Sequence, residues 1–106
     1  MMNKVALITG GACGIGRAIA LELAGNHYDI VINYLTSKQA AEALRKQIID
    51  AHGVRCLAIQ ADIADVEQVD RMITEIEEKL GGTDILINNA AVDLSNLFHL
   101  KNAEEF

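Results

Sequence analysis

Residues 9–16 read Thr-Gly-Gly-Ala-Cys-Gly-Ile-Gly and place four of the chain's eight glycines within seven positions. Clustered glycines leave backbone amides uncovered and let a chain turn sharply. Where such a turn runs into a helix, the first-turn amides and roughly half a positive charge from the helix dipole face outward together, which is a phosphate cradle. The spacing Gly10-x-x-x-Gly14-x-Gly16 is not the tighter G-x-G-x-x-G, and a glycine turn by itself is also compatible with a tight turn that holds nothing. Two further groups carry polar chemistry: a carboxylate in Ala61-Asp62-Ile63 and a pair of amides in Asn88-Asn89-Ala90. Cys13 stands just before the second glycine of the spacing. A helix N-terminus there would stabilise a thiolate, although filling a loop is the commoner use.

Elements that could position these groups are legible in the periodicity. Lys4 to Thr9 contains the unbroken apolar run Val5 to Ile8, as expected of a parallel strand covered on both faces. From Ile15 the period becomes helical, with Ile15, Ala18, Ile19 and Leu23 as the core stripe and a stop at Gly25-Asn26. Asp29 to Tyr34 reads as the second strand. Thr36-Ser37-Lys38-Gln39 has the pattern of a capping box, and a helix with Ala40, Ala41, Leu44 and Ile48 inward then stops at Gly53. Val54 to Ala61 is the third strand. Asp65-Val66-Glu67-Gln68 is a second capping box, opening a helix with Val69, Ile73, Ile76 and Leu80 inward and a stop at Gly81-Gly82. Ile85-Leu86-Ile87 is the fourth strand.

Strands and helices therefore alternate, and parallel crossovers of this length imply a doubly wound α/β sheet with helices on both faces. The glycine turn, Asp62-Ile63 and Asn88-Asn89-Ala90 then all fall at the carboxyl ends of strands, where open parallel sheets bind ligands.

Composition bounds the partners. The chain has 106 residues, the size of one domain, with 51% hydrophobic and 23% charged residues and no proline. A net charge of -6, with no run of basic residues, argues against nucleic acid. No stretch approaches the roughly 18 apolar residues of a membrane span. The start has no signal-peptide pattern, so a cytoplasmic location is expected. Cys13 and Cys56 suggest neither a disulfide framework nor a zinc site, and His27, His52 and His99 share no ligand-like spacing, so no metal site is expected.

Taken together, "TGGACGIG", "AD" followed by Ile, and "NNA" resemble the short-chain dehydrogenase/reductase family, whose motifs T-G-x-x-x-G-x-G, D-[VIL] and N-N-A-G occur in that order. The likeness covers essentially the whole chain and implies a Rossmann-type fold, here strands one to four of the family's seven. Residues 1–106 would then be the N-terminal portion of an NAD(P)-binding domain. By this resemblance Gly10, Cys13, Gly14, Ile15 and Gly16 wrap the cofactor pyrophosphate, Asp62 and Ile63 hold the adenine, and Asn88, Asn89 and Ala90 run beside the ribose. Position 91 is Ala where the family usually has Gly. The stretch "AVDLSNLFHLKNAEEF" is similar to that of bacterial 3-oxoacyl-acyl-carrier-protein reductases in the same family, which implies hydride transfer to a ketone such as a 3-oxoacyl thioester.

The resemblance also implies what lies elsewhere. The family's catalytic Ser, Tyr-x-x-x-Lys pair and helix Asn fall beyond the region that Phe106 closes, so no catalytic residue is expected within the chain and it is expected to be inactive alone. Tyr34-Leu35-Thr36-Ser37-Lys38 has the Tyr-x-x-x-Lys spacing but belongs to the end of strand two, not to a helix beside the nicotinamide. An NAD-selective site has a carboxylate at that strand end; this chain has Asn33-Tyr34. Thr36, Ser37, Lys38 and Arg17 offer hydroxyls and positive charge to a 2′-phosphate, whereas Cys13 and Leu35 stand where NADP-using relatives often have basic residues. The balance favours NADP, with NAD as the alternative. A full-length relative would be a homotetramer, and strand four alone would leave an apolar unpaired edge prone to association. A stand-alone nucleotide-binding or interaction module without catalysis is the competing reading.

Overall fold

The computed structural model describes residues 2–90. The readings that involve His99, Ala91 and the stretch after it lie outside the described residues. The elements are β1 (Val5–Ile8), α1 (Gly14–Gly25), β2 (Asp29–Tyr34), α2 (Lys38–His52), β3 (Cys56–Gln60), α3 (Val66–Leu80) and β4 (Ile85–Ile87). All pairings are parallel and the strand order is β3-β2-β1-β4. The expected α/β doubly wound Rossmann-type arrangement is thus present, with strand ends differing from the sequence reading by one or two residues.

Every residue of β1 and β2 is buried, and alternate residues serve opposite layers. Ala6, Ile8, Ile30, Ile32 and Tyr34 pack with Ala20 and Ala24 of α1 and Ala41, Leu44 and Ile48 of α2. Val5, Leu7 and Val31 pack with Met72, Ile76 and Leu80 of α3. Two helices therefore cover one face and the third covers the other, which explains why the central strands are apolar without alternation.

α1 packs on a different face from the one its apolar residues suggested. Ile15 is 73% exposed and Ala18 is exposed as well, while Gly16, Ala20 and Ala24 are buried. A stripe of Gly and Ala brings the helix axis close to the sheet, and the bulkier Ile19 and Leu23 flank it half-buried. The capping box expected at Thr36–Gln39 is also not formed: Ser37 is the N-cap of α2 and makes no side-chain cap bond. α3 does carry a side-chain cap. Asp65 Oδ1 accepts from the N–H of Glu67 at 3.0 Å and of Gln68 at 3.4 Å, and Gln68 Nε2 donates to Asp65 Oδ2 at 3.0 Å. Gly53 and Gly81 end α2 and α3 in the left-handed conformation. α1 ends in the same manner without glycine: His27 takes φ 67°, with His27 N–H donating to Ala24 O and Tyr28 N–H to Leu23 O.

At the amino ends of the strands, Asp29 is 1% exposed and is enclosed by donors. It accepts from Arg55 N–H at 2.9 Å and Arg55 Nε at 2.8 Å, pairs with Arg55 Nη2 at 2.7 Å, and accepts from Asn3 Nδ2 at 3.3 Å. A carboxylate so buried persists because it is paired and hydrogen-bonded on several sides. Asp29 therefore anchors the end of the sheet opposite the glycine turn.

Candidate functional site

The chain leaves β1 toward β2 on one side, while β4 returns to the other side of β1. At such a switch point the loops after the two neighbouring strands diverge and leave a crevice at their carboxyl ends. The residues bordering that crevice are cross-linked. Thr9 is 1% exposed; its Oγ1 donates to Ile87 O at 3.3 Å and accepts from the N–H of Asn89 at 3.0 Å and of Ala90 at 3.1 Å. Asn89 Nδ2 donates to Gly10 O at 3.0 Å. The glycine turn and the Asn-Asn-Ala segment are thus one rigid unit.

Each glycine of the motif has its own reason to be glycine. Gly10 and Gly14 take φ 62° and 57°, the left-handed region that side chains disfavour. A Cβ on Gly16 would lie 2.5 Å from both Asn89 Nδ2 and Gly10 O, so only glycine lets α1 start this close to the segment after β4. A Cβ on Gly14 would meet nothing within 4 Å, so its Cα faces open space. Cys13 is the N-cap of α1, exposed, and makes no side-chain cap bond. The first-turn amides of α1 therefore lack the carboxylate that Asp65 supplies to α3.

Asp62 lies in the loop after β3 and is half-buried. Its Oδ1 accepts from Ala64 N–H at 2.9 Å, its N–H donates to Gln68 Oε1 at 2.8 Å, and its carbonyl accepts from Asp65 N–H at 3.0 Å. Ile63 is buried against Val69, with Ile73 and Ala90 packed alongside. That small apolar cluster brings the Asp62 loop and the end of the Asn-Asn-Ala segment together.

The end of β2 contributes differently. Asn33 is 2% exposed, and its Nδ2 donates to Ala61 O at 3.1 Å and to Ile59 O at 3.5 Å. Its carbonyl accepts from Gly11 N–H at 3.1 Å. Tyr34 is 9% exposed, in the core layer beneath α1 and α2. Both residues lie at the expected strand end, but their side chains serve the fold there. Tyr34 ends β2 with its side chain buried, whereas Lys38 opens α2 and is exposed. Arg17 Nη2 donates to Gln47 Oε1 at 3.0 Å, which draws the guanidinium along α2.

The motif containing Thr9 carries no signal for the three bonds its hydroxyl makes, and the pattern Asp65-x-x-Gln68 carries none for the bond from Asp62 N–H to Gln68. The helical spacing also passed over Met72, which is 2% exposed in the core.

The family profile described as short chain dehydrogenase matches residues 4–106. The chain belongs to that family. Members of the short-chain dehydrogenase family are NAD(P)-dependent oxidoreductases, and the residues present fit the pyrophosphate of such a cofactor: two left-handed glycines, an open face at Gly14 and an uncapped helix start. Among curated relatives, the chain is 44% identical over 105 residues to a 3-oxoacyl-[acyl-carrier-protein] reductase, FabG, of Staphylococcus aureus, covering 99% of this chain and 42% of the relative. It is 39% identical over 104 residues to a short-chain dehydrogenase/reductase of Armillaria gallica, covering 98% of this chain and 40% of the relative. The chain thus spans about two fifths of the length of these curated relatives. Among solved structures, L-sorbose reductase from Gluconobacter frateurii complexed with NADPH superposes with a TM-score of 0.79 at 35% identity, covering 86% of this chain and 34% of that one. A dehydrogenase/reductase from Sinorhizobium meliloti superposes with a TM-score of 0.80 at 40% identity, covering 87% and 36%. Among the described residues no helix is long and apolar enough to cross a membrane.

Proposed function

We propose that this chain is the cofactor-binding part of a nicotinamide-dependent oxidoreductase that reduces a ketone, with a 3-oxoacyl thioester as the favoured substrate. The observation that carries the reading is the uncapped N-terminus of α1, lined by Gly10 and Gly14 in left-handed conformation and locked to the segment after β4 by Thr9 and Asn89. On this reading Gly10, Cys13, Gly14, Ile15 and Gly16 face the pyrophosphate, where backbone N–H groups neutralise its charge. Asp62 receives the adenine amine on its carboxylate, and Ile63 walls that pocket. Asn89 and Ala90 flank the ribose. The bound cofactor supplies a hydride to the substrate carbonyl. The exposed Ile15 side chain then has a role, since cofactor would cover an apolar surface that the fold leaves in water.

NADP is the preferred form, with NAD as the alternative. The end of β2 presents no carboxylate to repel a 2′-phosphate, because Asn33 and Tyr34 stand there with buried side chains. Thr36 and Lys38 are exposed just beyond, and with Arg17 drawn toward Gln47, Lys38 is the cation offered at that strand end. Two structural relatives were solved with NADPH, the sorbose reductase and a blue fluorescent protein from a metagenomic library. We further infer that the intact protein is a cytoplasmic homotetramer that engages neither nucleic acid nor membrane, in keeping with its net charge of -6.

Two measurements test the reading. Calorimetry on the intact protein should give a tighter dissociation constant for NADPH than for NADH. NADH binding tighter by tenfold, about 1.4 kcal/mol, would overturn the preference. Reading the coding sequence past Phe106 should reveal a Tyr-x-x-x-Lys pair. An immediate stop codon would favour a nucleotide-binding module instead.

A further inference from the structure

The loop proposed to hold adenine is fastened by a side chain outside the motif. Gln68 lies in the first turn of α3 and uses both ends of its amide: Oε1 accepts from Asp62 N–H at 2.8 Å and Nε2 donates to Asp65 Oδ2 at 3.0 Å. A capping-box glutamine ordinarily turns back to the N-cap residue's own N–H. Here that N–H, from Asp65, goes instead to Asp62 O at 3.0 Å, and Gln68 reaches three residues further back. Asp62 is consequently held at its N–H by Gln68, at its carbonyl by Asp65 and at Oδ1 by Ala64. Its Oδ2 makes no hydrogen bond among the described residues and is the oxygen left for a ligand. From the other side, Asn33 Nδ2 holds the carbonyl of the preceding residue, Ala61.

We propose that Gln68 is a positioning residue for adenine binding: by accepting from Asp62 N–H it fixes the direction of the Asp62 carboxylate, and with it the affinity for the adenosine half of the cofactor. The proposal rests on the oxidoreductase reading above and extends it to a residue that touches no ligand. A leucine at position 68 removes both bonds at similar size. A glutamate keeps an oxygen for Asp62 N–H but loses the donor to Asp65. The two variants therefore separate fastening the loop from capping the helix.

The test uses the intact protein, titrated with NADPH, with AMP for the adenosine half and with reduced nicotinamide mononucleotide for the other half, alongside thermal denaturation. Gln68→Leu should bind NADPH and AMP about tenfold more weakly and the mononucleotide as wild type does. Gln68→Glu should bind all three within about threefold of wild type, while both variants melt below wild type. The proposal is overturned if Gln68→Leu retains AMP affinity, if it loses affinity for both halves alike, or if Gln68→Glu fails to recover AMP binding. Should wild type bind none of the three, the oxidoreductase reading itself falls, an outcome separate from any difference between variants.

Discussion

Gly14 and Gly16 are two residues apart and constrain the chain in opposite ways. At Gly14 an added side chain would enter open space, at the cost of the left-handed strain of φ 57°. That strain amounts to roughly 1–2 kcal/mol. Gly14→Val should therefore remain folded and lose detectable cofactor binding, measured by melting and by titration of the intact protein. At Gly16 an added Cβ must displace Asn89 or Gly10 O and break the bond between them. Gly16→Ala should accordingly lower the melting temperature more than Gly14→Ala does, which differential scanning calorimetry of the two alanine variants will report. The cysteines divide along similar lines. Cys13 is exposed on the proposed pyrophosphate loop, while burial pushes the Cys56 thiol up to about 12, against a smaller downward pull from Arg45. Iodoacetamide at pH 8 should label Cys13 alone in the folded state, and saturating cofactor should slow that labelling. Labelling of Cys56 at the same rate would contradict its burial.

Among the elements, α3 has the most explicit start and a titratable one. Asp65 is held below its ordinary carboxylate value of 3.8, chiefly by the side-chain hydrogen bond from Gln68 and then by the backbone N–H of Gln68. A depressed carboxyl favours the folded state above its unfolded value and loses that contribution as pH falls through the folded one. The melting-temperature gap between wild type and Asp65→Ala should stay level from pH 7 to pH 5 and close below pH 3.8. A capping pattern in the sequence does not by itself make a cap. Asp65-x-x-Gln68 predicts a cap and makes one, whereas Thr36-x-x-Gln39 has an equivalent pattern and does not, because the N-cap falls one residue later, at Ser37. The strands, helices and cofactor motifs were legible because each is written in contiguous residues. The face of α1 was not, since ranking by apolarity selects Ile15 over Gly16, and only the packing of the Asn89 segment against that turn explains the glycine. The Asp29–Arg55 pair and the Gln68–Asp62 bond depend on which loops meet, and no local pattern announces them.

For the molecule as a whole, stability should be graded from the centre of the sheet outward. β2 is buried along its length between β1 and β3. β4 has three residues, with Leu86 39% exposed, and among the described residues it pairs with β1 alone. Backbone amides of β4 should exchange with deuterium at least about tenfold faster than those of β2 under native conditions. Equal protection would show that the outer edge of β4 is covered.

The bonds from Thr9 and Gly10 to Asn89 and Ala90 reach across 79 to 81 positions of chain. Strand pairings so remote in sequence form late, because a large loop must be closed before they return any energy. At ribosomal rates of about 5–20 residues per second, the glycine turn would wait roughly 4–16 s for its counterpart to be made. During that interval the proposed pyrophosphate loop of the nascent chain has no opposite wall. A nucleotide would then find nothing to grip on an unfinished polypeptide, and its capture would report that the last of these strands has docked.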